Sequence, residues 1–422
     1  MKSLVLERNV ARFAASRVAS LIGSGRGAGV GPLRLLDATA PEPLGSDWFP
    51  VKVLLSGICG SDLATVDGRT SRYFEDMVSF PFVPGHEVVG VLESDGVDAH
   101  GQPLVAGTRV VIEPVLGCAP RAIEPRCPHC AEEHQGLCGN IAFGRLAPGL
   151  QTGFCTDTGG GWSEAGLMAH RSQLHAVPEG FSDRDAVMVE PTACAVHAAL
   201  SADIHEGDTV AVLGAGTLGL ATVAALNTLV RPETGHSLIV GAKHPAQRQQ
   251  AARFGADMVV PPDQLARAVR RQSGSLVLGG RLTEGAHVVF DCVGTSESIA
   301  ESLALLRPRG RVVLVGMPGR VSVDLAPLWH KELSITGAYA YGQETTIRSG
   351  APRSARTFEL AMEVVAAHHL GELVTASYPL ERYEEALAHA GAAGRRGATK
   401  IVFDLAKSGR NPSIRPDGKG TP

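Results

Sequence analysis

The stretch 210–220, VAVLGAGTLGL, constrains the fold more than any other part of the chain. Four apolar residues, Val210 to Leu213, read as a short buried parallel strand. Gly214, Gly216 and Gly219 follow in G-x-G-x-x-G spacing, and helical apolar periodicity continues from Leu218 to Leu226. Gly214 permits a tight turn, Gly216 lets a pyrophosphate approach the backbone, and Gly219 lets the helix pack close on the strand. The turn residues Gly214, Gly216, Thr217, Leu218 and Gly219 would then face the phosphates with free N–H groups at a helix N-terminus. Three spaced glycines also occur in ordinary turns. Their position between a strand and a helix is what predicts a dinucleotide site.

A chain of 422 residues with 44% hydrophobic content can fill two domain cores. A net charge of −4 argues against a nucleic-acid surface or a polybasic membrane patch. No apolar run reaches the roughly 18 residues of a membrane-spanning helix. The first 35 residues contain arginines and few acids, a texture shared with transit peptides, but residues 1–7 read as the first strand of a folded domain. Eight cysteines in so long a chain are not a disulfide scaffold, and four of them fall within 21 positions, which suggests metal in a reducing compartment. The expectation is a cytoplasmic protein acting on a small molecule, with neither nucleic acid nor membrane as partner.

Residues 1–184 are rich in glycine, proline and short β-branched runs (51–55, 88–92, 108–112), the texture of an irregular β domain. Over 185–338, strands at 210–213, 238–240, 288–290, 312–315 and from Ile335 alternate with helical stretches, the rhythm of a doubly wound parallel sheet. Helices are predicted at 356–369 and 381–391 and a strand at 400–404, so 339–405 is expected to return to the first domain. The tail 406–422 is Gly/Pro/Lys-rich and is expected to be disordered.

Two short segments carry metal-ligand chemistry. Gly57-Ile58-Cys59-Gly60-Ser61-Asp62 offers a thiol, and Pro84-Gly85-His86-Glu87 offers imidazole and carboxylate in succession. Thiolate, neutral imidazole and a carboxylate make a zinc set, and three protein ligands leave a fourth position open for chemistry. Asp62 is placed to orient His86 through its other ring nitrogen, and Ser61 to put a hydroxyl beside the open position. Further on, Cys118, Cys127, Cys130 and Cys138 are spaced C-x8-C-x2-C-x7-C, which fits a closed structural zinc lobe at about 113–140. His129 and His134 fall inside that lobe but read as surface residues. In Val189-Glu190-Pro191-Thr192-Ala193-Cys194, Glu190 and Cys194 lie four apart on one helical face, and either could be a third ligand to the first site. His197 reads as a packed core histidine.

Taken together, GICGSD (57–62), PGHEVVG (84–90), the four-cysteine lobe, EPTACAVHA (190–198), GAGTLG (214–219), FDCVG (290–294), KEL and ITGAY (331–339) resemble the zinc-dependent medium-chain alcohol dehydrogenase family. The resemblance runs from about Met1 to Leu405. It implies an α/β chain with a GroES-like irregular β-barrel catalytic domain (1–184, resumed at 339–405) and a Rossmann domain (185–338). It implies Cys59, His86 and Glu190 as ligands of a catalytic zinc, with an acidic third ligand as in the glucose, polyol and threonine dehydrogenase branches. Glu87 matches a carboxylate that borders the metal and can exchange in as a ligand, Ser61 a proton-relay hydroxyl, and the four lobe cysteines a second zinc. Three departures stand out. The first lobe spacing is eight residues where the family has fewer, and no other cysteine lies nearby. Ala64 occupies the place of a relay histidine. Residues 10–32 exceed the usual first hairpin and have no evident task.

The implied reaction moves hydride between a secondary alcohol or polyol and a nicotinamide cofactor, with the proton leaving through Ser61. An NAD enzyme places an acid at the end of the second Rossmann strand to accept hydrogen bonds from the ribose diol. Counting back from Phe254-Gly255-Ala256-Asp257, that position falls on Ala242, followed by Lys243 and His244 with Arg248 nearby. A 2′-phosphate would meet positive charge there, which favours NADP(H). Homodimer or homotetramer assembly is a further implication of the resemblance. The rival readings are an NADPH-dependent reductase of an activated C=C or C=N bond, and a non-catalytic zinc and nucleotide-binding protein. Intact Cys59, His86 and Glu190 count against both.

Overall fold

The computed structural model describes residues 1–348 and 350–406. The tail expected to be disordered thus lies, from residue 407 on, outside the described residues. Two sheets dominate. The first is six-stranded and wholly parallel, in the order Met258–Val260, Ser237–Gly241, Thr209–Leu213, Ala286–Asp291, Leu306–Leu314, Ser334–Gly337. Every residue of Thr209–Leu213 is buried, as expected of a strand covered by helices on both faces. Leu213 lies opposite Gly241 on one side and Asp291 on the other. The chain order reverses at this strand, and the crevice beyond its carboxyl end is where an open α/β sheet takes its ligand.

The second sheet is seven-stranded and largely antiparallel. Its order is Val374–Tyr378, Lys400–Asp404, Trp48–Gly57, Val88–Leu92, Arg109–Ile112 and Leu174–Ala176, with Leu167–His170 also paired to Trp48–Gly57. Two of its strands come from beyond the parallel sheet, so the chain leaves this unit and returns to finish it. One apolar cluster runs through both units: Leu55, Val89 and Val111 of the antiparallel sheet pack with Val196 and Ala199 of the helix Val189–Leu200, with Val210 and Val212, and with Phe358. A continuous core fixes the two sheets against one another.

Two elements are not anticipated by the sequence patterns. Gln343–Arg348 and Ala351–Arg356 form an antiparallel hairpin leading into the helix Thr357–His368. Residues 10–32, for which the sequence suggests no task, open with the helix Val10–Ala19, capped by the Asn9 side chain on Arg12 N–H at 3.1 Å. This insert is clamped to the segment after the helix Gly60–Val66. Ser16 Oγ donates to the Val66 carbonyl, and the fully buried Asp67 carboxylate accepts from Ser24 Oγ at 2.7 Å and Gly25 N–H at 3.0 Å. Gly27 is obligatory here, because a Cβ would fall 2.1 Å from Ser16 Oγ. Asp67→Ala leaves the Gly25 N–H without its partner and should lower stability by about 1–3 kcal/mol. Urea melts check this as a lower midpoint with the slope preserved; an unchanged midpoint would mean that the clamp contributes nothing to the fold.

Candidate active site and metal centres

The strand Trp48–Gly57 delivers Cys59 to the cap position of the helix Gly60–Val66. Asp62, at the third helical position, folds back so that its Oδ2 accepts the Cys59 N–H at 2.9 Å. Its Oδ1 lies 3.4 Å from His86 Nδ1, which leaves Nε2 as the nitrogen available to a metal. His86 and Glu87 follow Gly85, whose φ of +96° suits glycine, and a Cβ there would meet Trp162 Cδ1 at 2.4 Å. Donor atoms of Cys59, His86 and Glu87 all lie within 4.8 Å of one another. Burial works against a charged His86, yet Asp62 and Cys59 outweigh it and hold the imidazole well above its ordinary pKa. A soft thiolate, an imidazole and a carboxylate gathered so closely fit zinc.

Glu190 stands next to this group rather than within the 4.8 Å cluster. Its Oε1 accepts the Tyr341 hydroxyl at 2.8 Å and lies 3.8 Å from Cys194 Sγ. Burial, reinforced by the neighbouring Glu87, pushes its carboxyl up to about 7, against the pull of His86, Tyr341 and Lys400. The tight trio contains Glu87, and Glu190, which the resemblance implies as a ligand, borders it closely enough to feel both His86 and Glu87. Tyr341 engages one Glu190 oxygen and leaves the other open, while Glu87 follows His86 directly on the same loop.

Two residues of this site are missed by sequence reasoning. Tyr341 lies just beyond ITGAY, and Lys400 opens the strand Lys400–Asp404. Lys400 is buried, pairs with Glu87, and donates from Nζ to the Ile58 carbonyl at 3.3 Å. The one available signal was a lysine leading the otherwise apolar run Ile401-Val402-Phe403, since a charge so placed needs a buried partner.

At the second centre, donor atoms of Cys118, Cys127, Cys130 and Cys138 also lie within 4.8 Å of one another. Backbone N–H groups point at the sulfurs, Cys127 N to Cys118 Sγ at 3.4 Å and Asn140 N to Cys138 Sγ at 3.3 Å. Burial opposes a Cys127 thiolate, but N–H groups from Cys130 and Gly139 and the adjoining thiols bring it down to about 6. The eight-residue spacer that separates Cys118 from Cys127 contains Arg121, which is fully buried. Its guanidinium donates to the carbonyls of Leu116, Phe143, Leu146, Ala147 and Gly149 at 2.7–3.2 Å, and so ties the spacer to the loop behind the lobe. His129 and His134 are exposed and outside the group. His197, anticipated as a packed histidine, is half-buried and pairs through Nδ1 with Glu344 of the hairpin at 2.7 Å.

The glycine turn has the shape a dinucleotide requires. Gly214 has φ +87°, and a Cβ on Gly219 would fall 1.9 Å from the Gly214 carbonyl oxygen. A Cβ on Gly216 would meet nothing within 4 Å, so open space faces the helix Thr217–Ala225 at its N-terminus. Beyond Ser237–Gly241, Ala242 is buried, Lys243 is exposed and His244 caps the helix Pro245–Arg253. Arg248 Nη1 donates to the carbonyls of Ala242 and Lys243 at 3.2 and 3.0 Å, pinning this corner.

Residues 45–179 match the alcohol dehydrogenase GroES-like domain, and residues 218–353 match the zinc-binding dehydrogenase domain. The chain is 28% identical to a sorbitol dehydrogenase of Arabidopsis thaliana over 383 residues, covering 89% of this chain and 93% of that one. It is 27% identical to the L-idonate 5-dehydrogenase (NAD(P)(+)) of Escherichia coli over 358 residues, 84% and 91% of the two chains. The fold is shared with 2R,3R-butanediol dehydrogenase of Bacillus subtilis at a TM-score of 0.66 and 20% identity, over 96% of this chain and 99% of that one. No helix among the described residues is long and apolar enough to cross a membrane. With two matched domains in this order and relatives along nearly the whole length, the chain belongs to the zinc-dependent medium-chain alcohol dehydrogenase family and is an oxidoreductase of alcohols or polyols.

Proposed function

We propose that the chain interconverts a secondary alcohol or polyol and its ketone with NADP(H), using a catalytic and a structural zinc in each subunit. The observation that carries this reading is the convergence of Cys59, His86 and Glu87, with the acidic Glu190 alongside. Residues 1–184 and 339–405, together with Glu190, supply the chemistry and the rest of 185–338 the cofactor site. When bound, zinc supplies Lewis acidity to an alcohol or carbonyl oxygen, and the nicotinamide accepts or gives hydride.

The chain's own residues do the rest. Cys59 Sγ, His86 Nε2 and a carboxylate oxygen, from Glu87 in the tight trio or from Glu190 beside it, would hold the metal, and Asp62 keeps the imidazole in the tautomer that frees Nε2. Lys400 offsets the Glu87 charge. Ser61 Oγ, in the first turn of Gly60–Val66, and the free Glu190 oxygen are the atoms that hold and pass the proton. A carboxyl near neutrality suits that work better than an ordinary one, because it can both accept and release a proton at working pH. Tyr341 fixes the other Glu190 oxygen and so aims the free one. A polyol is favoured by the acidic Glu190 and by relatives named for sorbitol and idonate. The cofactor preference follows from Lys243 and His244 at the corner where an acid would select NAD(H). The intact donor set weighs against C=C or C=N reduction and against a non-catalytic role.

Assembly as a homodimer or homotetramer is part of the same reading. Ser334–Gly337 is the outer strand of the parallel sheet, three of its four residues are exposed, and Trp329 nearby is 81% exposed. An apolar side chain next to an open strand edge is a natural place for a second copy to pair. Light scattering should give a mass of at least two subunits, reduced by Trp329→Glu; a monomer at micromolar concentration would remove this part of the reading.

The test of the central reading is zinc content per subunit together with turnover on a panel of polyols. Two zincs are expected. Cys59→Ala or His86→Ala should retain one zinc and normal NADPH binding while losing about 10³-fold or more in turnover. Loss of NADPH binding in these variants would mean that the division of labour between the two units is wrong. Lys243→Asp should shift the ratio of NADPH to NADH affinity about tenfold or more toward NADH. An unchanged ratio would take Lys243 out of the phosphate corner.

A further inference from the structure

The segment just before the last strand belongs to the catalytic side of the chain, yet it touches the parallel-sheet unit at two points. The Thr217 hydroxyl, at the start of the dinucleotide helix, donates to the Thr399 carbonyl at 3.4 Å. At the other end, Gly394 packs against His244, where a Cβ would fall 2.5 Å from the imidazole Cδ2 and 3.1 Å from Gln247 Nε2. The stretch 394–399 therefore spans from the corner after Ser237–Gly241 to the N-terminus of Thr217–Ala225. A dinucleotide runs the same way, from its adenosine ribose to its pyrophosphate.

Arg395 and Arg396 lie within this span, in the helical turn Ala393–Arg396, and both are exposed. No ion pair engages either one among the described residues, and no acid occurs from Gly391 to Phe403. Gly397, at φ +69°, then turns the chain toward Thr399. On the opposite side, Arg248 spends donors on the Ala242 and Lys243 carbonyls, which leaves Lys243 as the exposed cation, with the His244 ring beside it.

We propose that Arg395 and Arg396 form the second wall of the site for the cofactor's 2′-phosphate, so that this phosphate is gripped between the catalytic and cofactor-binding parts of the chain. Guanidinium groups suit a phosphate because their forked donors match its oxygens. The small Gly394 allows the arginine turn to sit directly against His244. This inference rests on the reading of the chain as NADP(H)-dependent, and it adds that the catalytic side senses which cofactor is bound.

The test measures dissociation constants for NADPH, NADH and 2′,5′-ADP by fluorescence titration and calorimetry, on the zinc-loaded wild type, Lys243→Asp, and the Arg395→Ala/Arg396→Ala double variant. Both arginines are exposed, so the double variant should keep its zinc content and melting temperature. It should bind NADPH and 2′,5′-ADP at least about tenfold more weakly while NADH binding changes less than about twofold. Salt should weaken NADPH binding to the wild type more steeply than to this variant. If Lys243→Asp shifts the preference while the double variant does not, the inference fails and the cofactor reading stands. If the wild type itself binds NADH more tightly than NADPH, both fail. Equal weakening of NADPH and NADH in the double variant would also overturn the inference, since it would place the arginines on the shared pyrophosphate.

Discussion

Lys400 and Glu87 are each almost wholly removed from water, at 2% and 1% side-chain exposure, and neither charge is tolerable there without the other. Their pairing joins the strand Lys400–Asp404 to the loop that presents His86. Lys400 also reaches the Ile58 carbonyl, one residue before Cys59, so a single ammonium group braces both segments that supply the metal donors. The next residue back, Thr399, touches the start of the dinucleotide helix. One strand therefore positions the donor trio and borders the cofactor turn, and the geometry of both sites depends on where that strand docks. An uncompensated charge at this depth would cost about 3–5 kcal/mol, which is why the docking has little freedom.

What was legible in the sequence is what is local. The turn 214–219 needs its glycines for reasons that act within a few residues, and the apolar run before it reads as a buried parallel strand just as the periodicity after it reads as a helix. Asp62 beside Cys59 could be read because three residues on a helix start bring them together. The unread parts depend on distant packing. Tyr341 reaches Glu190 across 151 positions and Lys400 reaches Ile58 across 342, and no spacing rule covers such separations. The placement of Glu87 inside the tight trio with Glu190 beside it was hidden for the same reason, since it depends on contacts such as Tyr341 to Glu190.

The eight-residue spacer before Cys127 shows how an irregular segment can be fixed without regular structure. Arg121 donates to five backbone carbonyls, groups that would otherwise be buried without partners in a loop lacking a ladder. One side chain does here what a strand does elsewhere, and the lobe sulfurs converge despite the longer path between them. The helix Val10–Ala19 is held by a similar device, with the Asp67 carboxylate rather than a guanidinium as the anchor. Both inserts are attached to the fold by a buried charge that meets backbone groups, Asp67 being paired with Arg69 as well.

The docking of Lys400–Asp404 between Val374–Tyr378 and Trp48–Gly57 also sets an order of events during synthesis on the ribosome. The parallel sheet has all six strands once Gly337 has emerged. The antiparallel sheet does not: the Leu55–Gly57 end of one edge of Trp48–Gly57 stays unpaired, and Glu87 stays without its countercharge, until the chain has been extended some 67 residues further, to Asp404. In that interval the nascent chain carries a finished nucleotide-binding half and an open, aggregation-prone strand edge in the other half.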